Sequence, residues 1–244
     1  MLRRRDGRAA DELRKISIER NFIKYAQGSA LISFGDTKVV CTAMVEEGVP
    51  HFLHKTGKGW LTSEYIMLPF STPNRTPLEI EKKRGRSYEI QRLIGRSLRA
   101  VIDLSSLGEK TIWIDCNVIQ ADGGTRCASI TGSFVALVDA DKWLRKKGIT
   151  KRSIIKESLA AVSVGISNGE KLLDLSFQED SEASVDMTVV MTGKGNLVDV
   201  QVSGEEDVLS RKTFWELLDL AERGIKKVFK AQKEAVGESQ WNWS

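Results

Sequence analysis

The sequence predicts an α/β protein of the α+β kind, made of two similarly built β-plus-α halves. Two observations predict it: strand-like runs give way to a long helical pattern before residue 148, and the same succession starts again after it. A third bounds the class, since 244 residues at 41% hydrophobic and 29% charged describe a globular chain with a substantial core. The expected organisation is one domain over 1–244, with an N-terminal half at 1–148, a C-terminal half at 149–236 and a poorly anchored tail at 237–244. The aromatics of that tail, Trp241 and Trp243, are expected at a frayed end or against a neighbouring subunit.

Residues 14–20 and 29–47 alternate as antiparallel strands do, with Gly35-Asp36 turning the chain between Ile32 and Val39. Residues 48–85 hold all four prolines and read as loop, apart from a short strand near Trp60–Leu68. Helical spacing through Ile90, Leu93, Ile94, Leu98, Val101 and Ile102 predicts a helix over 86–104, with Arg92, Arg96 and Arg99 on its other face. A strand at 111–119 and a helix over about 126–147 follow, with Gly148 as the stop signal. The second half opens on strands at Leu159–Ile166, Lys171–Leu175, Ser184–Met191 and Leu197–Val202, with Asn168-Gly169 as a hairpin turn. It closes on a helix from about Ser210 to Ala235.

The chemistry concentrates in three places. Gln120-Ala121-Asp122-Gly123-Gly124-Thr125-Arg126 joins a strand to a helix start. Two glycines permit close backbone approach, first-turn N–H groups point outward, and Arg126 adds a two-pronged donor, so the turn suits an anion; the plain alternative is a tight turn with a surface arginine. Asp174, Glu179, Asp180, Glu182 and Asp186 cluster around the strand beginning near Ser184. Asp180 and Asp186 would share a face if the chain were extended, or converge at a strand edge if Glu179–Ala183 turns. Such a pair suits Mg²⁺, or supplies a proton donor, or is a solvated acidic loop. Residues 75–99 carry eight basic residues (Arg75, Lys82, Lys83, Arg84, Arg86, Arg92, Arg96, Arg99) against Glu79, Glu81 and Glu89, an excess of +5 beside +4 for the whole chain. That concentration points to a polyanion such as a nucleic acid.

Other classes are disfavoured. His51 and His54 are the only histidines, both in the loop region, and neither Gly-x-Ser-x-Gly nor a P-loop occurs. Cys41, Cys116 and Cys127 have no metal-ligand spacing and are odd in number. No apolar run approaches the ~20 residues of a membrane span and no apolar stretch follows the basic start, so the cytoplasm is the expected compartment.

Together, several motifs resemble the RNase PH family of bacterial phosphate-dependent 3′→5′ exoribonucleases. They are Asp6-Gly7-Arg8 with Asp11-Glu12-Leu13-Arg14, Phe34-Gly35-Asp36-Thr37-Lys38-Val39, Gly59-Trp60-Leu61-Thr62 with Glu64-Tyr65, Glu89 through Arg99, Ile119 through Gly132, and Glu179-Asp180-Ser181 through Asp186-Met187. The resemblance spans about residues 4–235. It implies an RNase PH-like fold, helices packed on mixed sheets, in which inorganic phosphate cleaves the terminal RNA linkage and releases a nucleoside diphosphate. Carried over by motif, Gly124, Thr125 and Arg126 bind the phosphate with Arg86, while Asp180 and Asp186 are the candidate acid and metal ligands for Mg²⁺. Arg75, Lys82, Lys83, Arg84, Arg92, Arg96 and Arg99 are expected to face RNA, with the 3′ ends of tRNA precursors as substrate. A homo-oligomeric ring is implied, a hexamer built as a trimer of dimers. The chain departs from the pattern at Phe70 and Leu78, where the family usually carries arginine, and at Thr188, usually asparagine. The alternative is a scaffold or catalytic subunit of an exosome-like ring; the retained Arg86, Thr125, Arg126, Asp180 and Asp186 favour a working enzyme.

Overall fold

The computed structural model describes residues 4–81, 85–204, 208–238 and 241. In the first half, β1 (Ile16–Arg20), β2 (Gly28–Phe34), β3 (Thr37–Glu47), β4 (Trp60–Met67) and β5 (Lys110–Gln120) form a five-stranded sheet in the order β1-β2-β3-β5-β4. Alternation explains the face each strand buries: Val39, Cys41 and Ala43 point inward while Val40, Thr42 and Met44 are more exposed. Gly35, at φ +55°, lets Phe34 and Thr37 pair across a two-residue turn. The sheet is mixed, because β4 pairs with β5 in parallel. Parallel neighbours require a crossover, and it is supplied by the short α1 (Leu78–Glu81) and by α2 (Gly85–Ala100). The predicted helix over 86–104 stops earlier than its apolar spacing suggests; Ile102 instead pairs with Ile155 in an isolated bridge.

The second sheet runs β7-β6-β8-β9 and is antiparallel throughout, from β6 (Leu159–Ser167), β7 (Glu170–Leu173), β8 (Ala183–Thr192) and β9 (Leu197–Gly204). Asn168 and Gly169 both take positive φ, 51° and 77°, as a tight hairpin turn of the mirror-image type requires. Glu179–Ala183, expected as a turn, is largely a short helix, α4 (Phe177–Ser181), capped by the Ser176 hydroxyl with Glu179 reaching back to Ser176 N–H. The chain ends on α5 (Arg211–Val236), with Ser210 accepting from Thr213 N–H as its cap.

Between the sheets lies α3 (Thr125–Lys146), packed on β2 and β3 on one side and on β6 on the other. A helix buried nearly all round is apolar or small all round, and Ala128, Ile130, Phe134, Val135, Ala136 and Leu137 are fully buried. Its small residues set the spacing: a Cβ at Gly132 would stand 2.7 Å from Ile32 Cγ2 and 2.8 Å from Cys41 Sγ. One continuous core therefore joins both halves. The tail departs from expectation. Trp241 is partly buried on that core, edge-on to Phe134 at 6.1 Å and Phe229 at 6.4 Å, so it is docked within its own chain rather than frayed. An indole beside two phenyl rings has more apolar area to bury than terminal entropy opposes. Trp243 lies outside the described residues.

Candidate active site

The sequence's anion turn sits where β5 ends and α3 begins. Gly123 and Gly124 take positive φ, 75° and 66°, and Gly124 caps the helix with no side chain. The N–H groups of the first turn have no partner inside the helix, so α3 presents donors and the positive end of its dipole there. Thr125 is buried, and its Oγ1 lies 2.9 Å from the Tyr65 hydroxyl on β4. Arg126 is half-buried: Nη1 donates to Gln201 Oε1 on β9 at 3.3 Å, and Nη2 stands 3.7 Å from the Asp186 carboxylate on β8. Asp186 thus comes from the second half to meet Arg126 of the first. Asp180 lies on α4 and Asp186 on β8, so the segment between them is not extended and the two do not share one strand face. Arg86 is on the exposed first turn of α2, near enough for its charge to act on the Tyr65 phenol.

A Cβ at Gly123 would be 2.5 Å from Leu175 O, 2.6 Å from Ser176 C and 2.7 Å from Phe177 N, so the chain's own β7–α4 connection occupies the space that glycine leaves. That connection is held to the turn by buried arginines. Arg14 donates to the Asp122 carbonyl and, at 3.3 Å, to the Gly123 carbonyl, while its Nε and Nη2 reach Asp174 at 3.0 and 2.7 Å. Thr37 Oγ1 donates to the Gly123 carbonyl at 2.6 Å and accepts from Asp122 N–H at 2.9 Å. Phe177 N–H donates to Asp122 Oδ1 at 3.3 Å. Arg4 donates to the carbonyls of Leu173 and Asp174 and pairs bidentately with Glu179 at 2.6 and 2.5 Å. Burial alone would raise the Glu179 carboxyl, but Arg4 and the Ser176 cap pull it down to about 2. Three members of the acidic cluster, Asp174, Glu179 and Glu182, are thereby paired with arginines of the N-terminal segment.

The chain is similar to known proteins over nearly its whole length. The model of the 3′ exoribonuclease family matches residues 12–142 with its first domain and 158–224 with its second. Ribonuclease PH of Moorella thermoacetica is 56% identical over 237 residues, 96% of this chain and 95% of that protein. Ribonuclease PH of Bacillus pumilus is 56% identical over 96% of this chain and 98% of its own. The chain belongs to the RNase PH family. Its activity is that of a phosphate-dependent 3′→5′ exoribonuclease. Among solved structures, the Archaeoglobus fulgidus exosome with RNA bound to the active site matches with TM-score 0.81 and 27% identity, over 93% of this chain and 92% of the other.

Within this RNase PH-like frame, the basic residues separate. Arg75 and Arg92 are exposed. Arg96 is exposed and paired with Asp199 of β9. Arg99 is drawn inward: its guanidinium lies 4.6 Å over the Trp60 ring and donates to Leu61 O at 2.9 Å. Lys82, Lys83 and Arg84 lie outside the described residues. Phe70 is 69% exposed and Leu78 is 38% exposed, so the two departures from the family pattern are at the surface. Thr188 is buried on β8 and pairs in register with Gln201, the residue that Arg126 contacts. Sequence reasoning passed over Tyr65, Thr37, Arg14 and Gln201 as site residues. The first three stand inside the family motifs; Gln201 had no sequence signal, since only strand register brings it to Arg126.

Proposed function

We propose that Gly124, Thr125, Arg126 and Arg86 hold inorganic phosphate as the attacking group, and that Asp180 and Asp186 serve the scissile linkage. The observation that carries this is Arg126 standing at the α3 N-terminus beside Thr125 and within 3.7 Å of Asp186. Phosphorolysis brings a phosphate dianion against a phosphodiester that is already anionic. Arg126, Arg86 and the helix N-terminus offset that repulsion and aim the nucleophile. A phosphate oxygen bonds to the terminal phosphorus, the 3′-oxygen of the preceding nucleotide leaves and takes a proton from Asp180, and a nucleoside diphosphate departs. The reverse step adds nucleotides from diphosphates.

Asp186, and Asp180 once it has given up its proton, are hard oxygen donors beside a site for substrate phosphates, the setting in which Mg²⁺ is held by one or two carboxylates and waters. When bound there, the ion would neutralise charge on the scissile phosphate.

RNA, taken as the 3′ ends of tRNA precursors, is proposed to run over Arg75, Arg92, Arg96, Arg99 and the Lys82–Arg84 segment. The working form is proposed to be a homo-oligomeric ring, a hexamer built as a trimer of dimers. The halves are taken as 1–148 and 149–236 of one domain, in the cytoplasm; the three free, buried cysteines suit a reducing compartment. Likeness to the archaeal exosome supports a second reading, a subunit of a mixed ring. A stable homo-oligomer without other subunits would exclude it.

The test is release from a tRNA carrying a short labelled 3′ extension, with Mg²⁺, with and without phosphate. Diphosphates are expected only with phosphate, and Arg126→Ala is expected to lower their release by roughly 10²-fold or more. Monophosphates formed without phosphate, or unchanged Arg126→Ala activity at limiting phosphate, would overturn the assignment.

A further inference from the structure

Tyr65 lies in the middle of an edge strand, yet it is only 5% exposed and its hydroxyl meets Thr125 Oγ1 at 2.9 Å. The parallel register of β4 on β5, with Tyr65 opposite Cys116, is what brings the ring to the α3 side of the sheet. Leu61, Ser63 and Tyr65 are the strand's buried positions, alternating as a half-buried strand must. Burial pushes the phenol up to about 12, although the Thr125 contact and the charge of Arg86 both act to lower it. The hydroxyl therefore keeps its proton throughout the working range.

Two hydroxyls in contact can share their hydrogens in two ways. If Thr125 donates to Tyr65, Thr125 offers an incoming anion only lone pairs. If Tyr65 donates to Thr125, the threonine hydrogen is free to point at the anion. A phosphate oxygen accepts strongly and selects the second arrangement. We infer that Tyr65 is a positioning residue for phosphate: it donates to Thr125 Oγ1 and so turns the Thr125 hydroxyl into a donor toward the nucleophile. This rests on the reading that Thr125 and Arg126 hold phosphate. The role assigned to Tyr65 runs through its contact with Thr125.

Tyr65→Phe keeps the ring and removes only the hydroxyl. Steady-state phosphorolysis of a labelled RNA is measured with phosphate and RNA varied separately, for Tyr65→Phe, Thr125→Val and the double variant. Tyr65→Phe is expected to raise KM for phosphate about fivefold, the scale of one neutral hydrogen bond, and to leave KM for RNA unchanged. Thr125→Val should raise it further, and the double variant should match Thr125→Val alone, because the phenol acts only through that hydroxyl. A loss confined to Tm, an equal rise in both KM values, or fully multiplicative effects in the double variant would overturn the role of Tyr65 and leave the phosphate site standing. An unchanged phosphate KM in Thr125→Val would overturn the phosphate-site reading, and the inference with it.

Discussion

Arg14→Leu is the perturbation that best separates a fold held by its core from one held also by its buried ions. The Arg14 side chain is 6% exposed and its partner Asp174 3%. Removing the guanidinium takes two hydrogen bonds from the Asp174 carboxylate and leaves it only Arg14 N–H at 2.8 Å and a long contact from Arg8 at 3.5 Å. Breaking a buried pair from one side costs about 3–5 kcal/mol. The surviving contacts argue for the lower part of that range. The Asp122 carbonyl, however, loses the Arg14 donor, while the Gly123 carbonyl keeps Thr37, and that moves the figure back to about 4 kcal/mol. For a chain of this size the fall in Tm is roughly 8–16 °C. Calorimetric unfolding of Arg14→Leu beside Lys226→Ala gives the contrast. Lys226 is an exposed i,i+4 partner of Glu222, and losing it should cost under about 1 kcal/mol. Because the same guanidinium donates to the Asp122 and Gly123 carbonyls of the turn proposed to bind phosphate, KM for phosphate should also rise at temperatures where the variant is folded. An Arg14→Leu protein melting within about 3 °C of the wild type would refute the idea that this pair joins the halves.

Two further tests follow from the same region. Gly123→Ala forces a left-handed alanine against backbone at 2.5–2.7 Å, costing about 1–2 kcal/mol for the conformation and about 1–3 for the overlap, so its Tm should fall by roughly 5 °C or more; Gly108→Ala, equally left-handed at φ +70° with nothing within 4 Å, should show the conformational cost alone, and equal losses would dismiss the packing argument. Glu179 has a folded-state pKa lowered from 4.5 to about 2, so its contribution is complete above about pH 4.5 and disappears as pH falls through the folded value. Allowing for solvent screening it is worth on the order of 1–2 kcal/mol, and in unfolding titrations between pH 5 and pH 2 Glu179→Gln should lose stability less steeply than the wild type; parallel slopes would remove Glu179 from the acid transition.

What was legible in the sequence was what is local. Strand alternation around Val39, the helical spacing of Ile90–Leu98, the Asn168-Gly169 turn and the Gly-Gly-Thr-Arg helix start each depend on neighbours within a few residues, and the structure carries all of them. What was not legible depends on pairing over distance. Arg14 and Asp174 are separated by 160 positions, and no period or motif links them. The acidic cluster misled for the same reason: as a string it is a run of carboxylates, whereas in space Asp174, Glu179 and Glu182 are each answered by an arginine from the first fifteen residues. Trp241, expected at a frayed end or against a neighbouring subunit, packs beside Phe134 and Phe229; sequence position says nothing of which rings lie near a terminus. The parallel placement of β4, which sets Tyr65 against Thr125, became visible only with the crossover through α2.

The glycine pair shows how the two kinds of information meet. Read locally, Gly123 and Gly124 make room for a ligand's phosphate. In the fold their duties divide: Gly124 starts the helix with no side chain over its N–H groups, while Gly123 makes room for the chain's own Leu175–Phe177 backbone. The turn proposed to hold the nucleophile is thus backed by the segment that carries α4 and its Asp180, and Asp186 on β8 flanks Arg126 from the same half. Under the proposed assignment, a phosphate on one half and carboxylates on the other would have to be held to a fraction of an ångström for in-line attack, because misplacement of about 1 Å costs orders of magnitude in rate. A turn packed on backbone and pinned by buried arginines meets that demand better than one facing solvent. On this argument, variants that loosen the Arg14–Asp174 connection should lose phosphorolysis out of proportion to the fraction unfolded, since the distance between nucleophile and acid changes before the fold does.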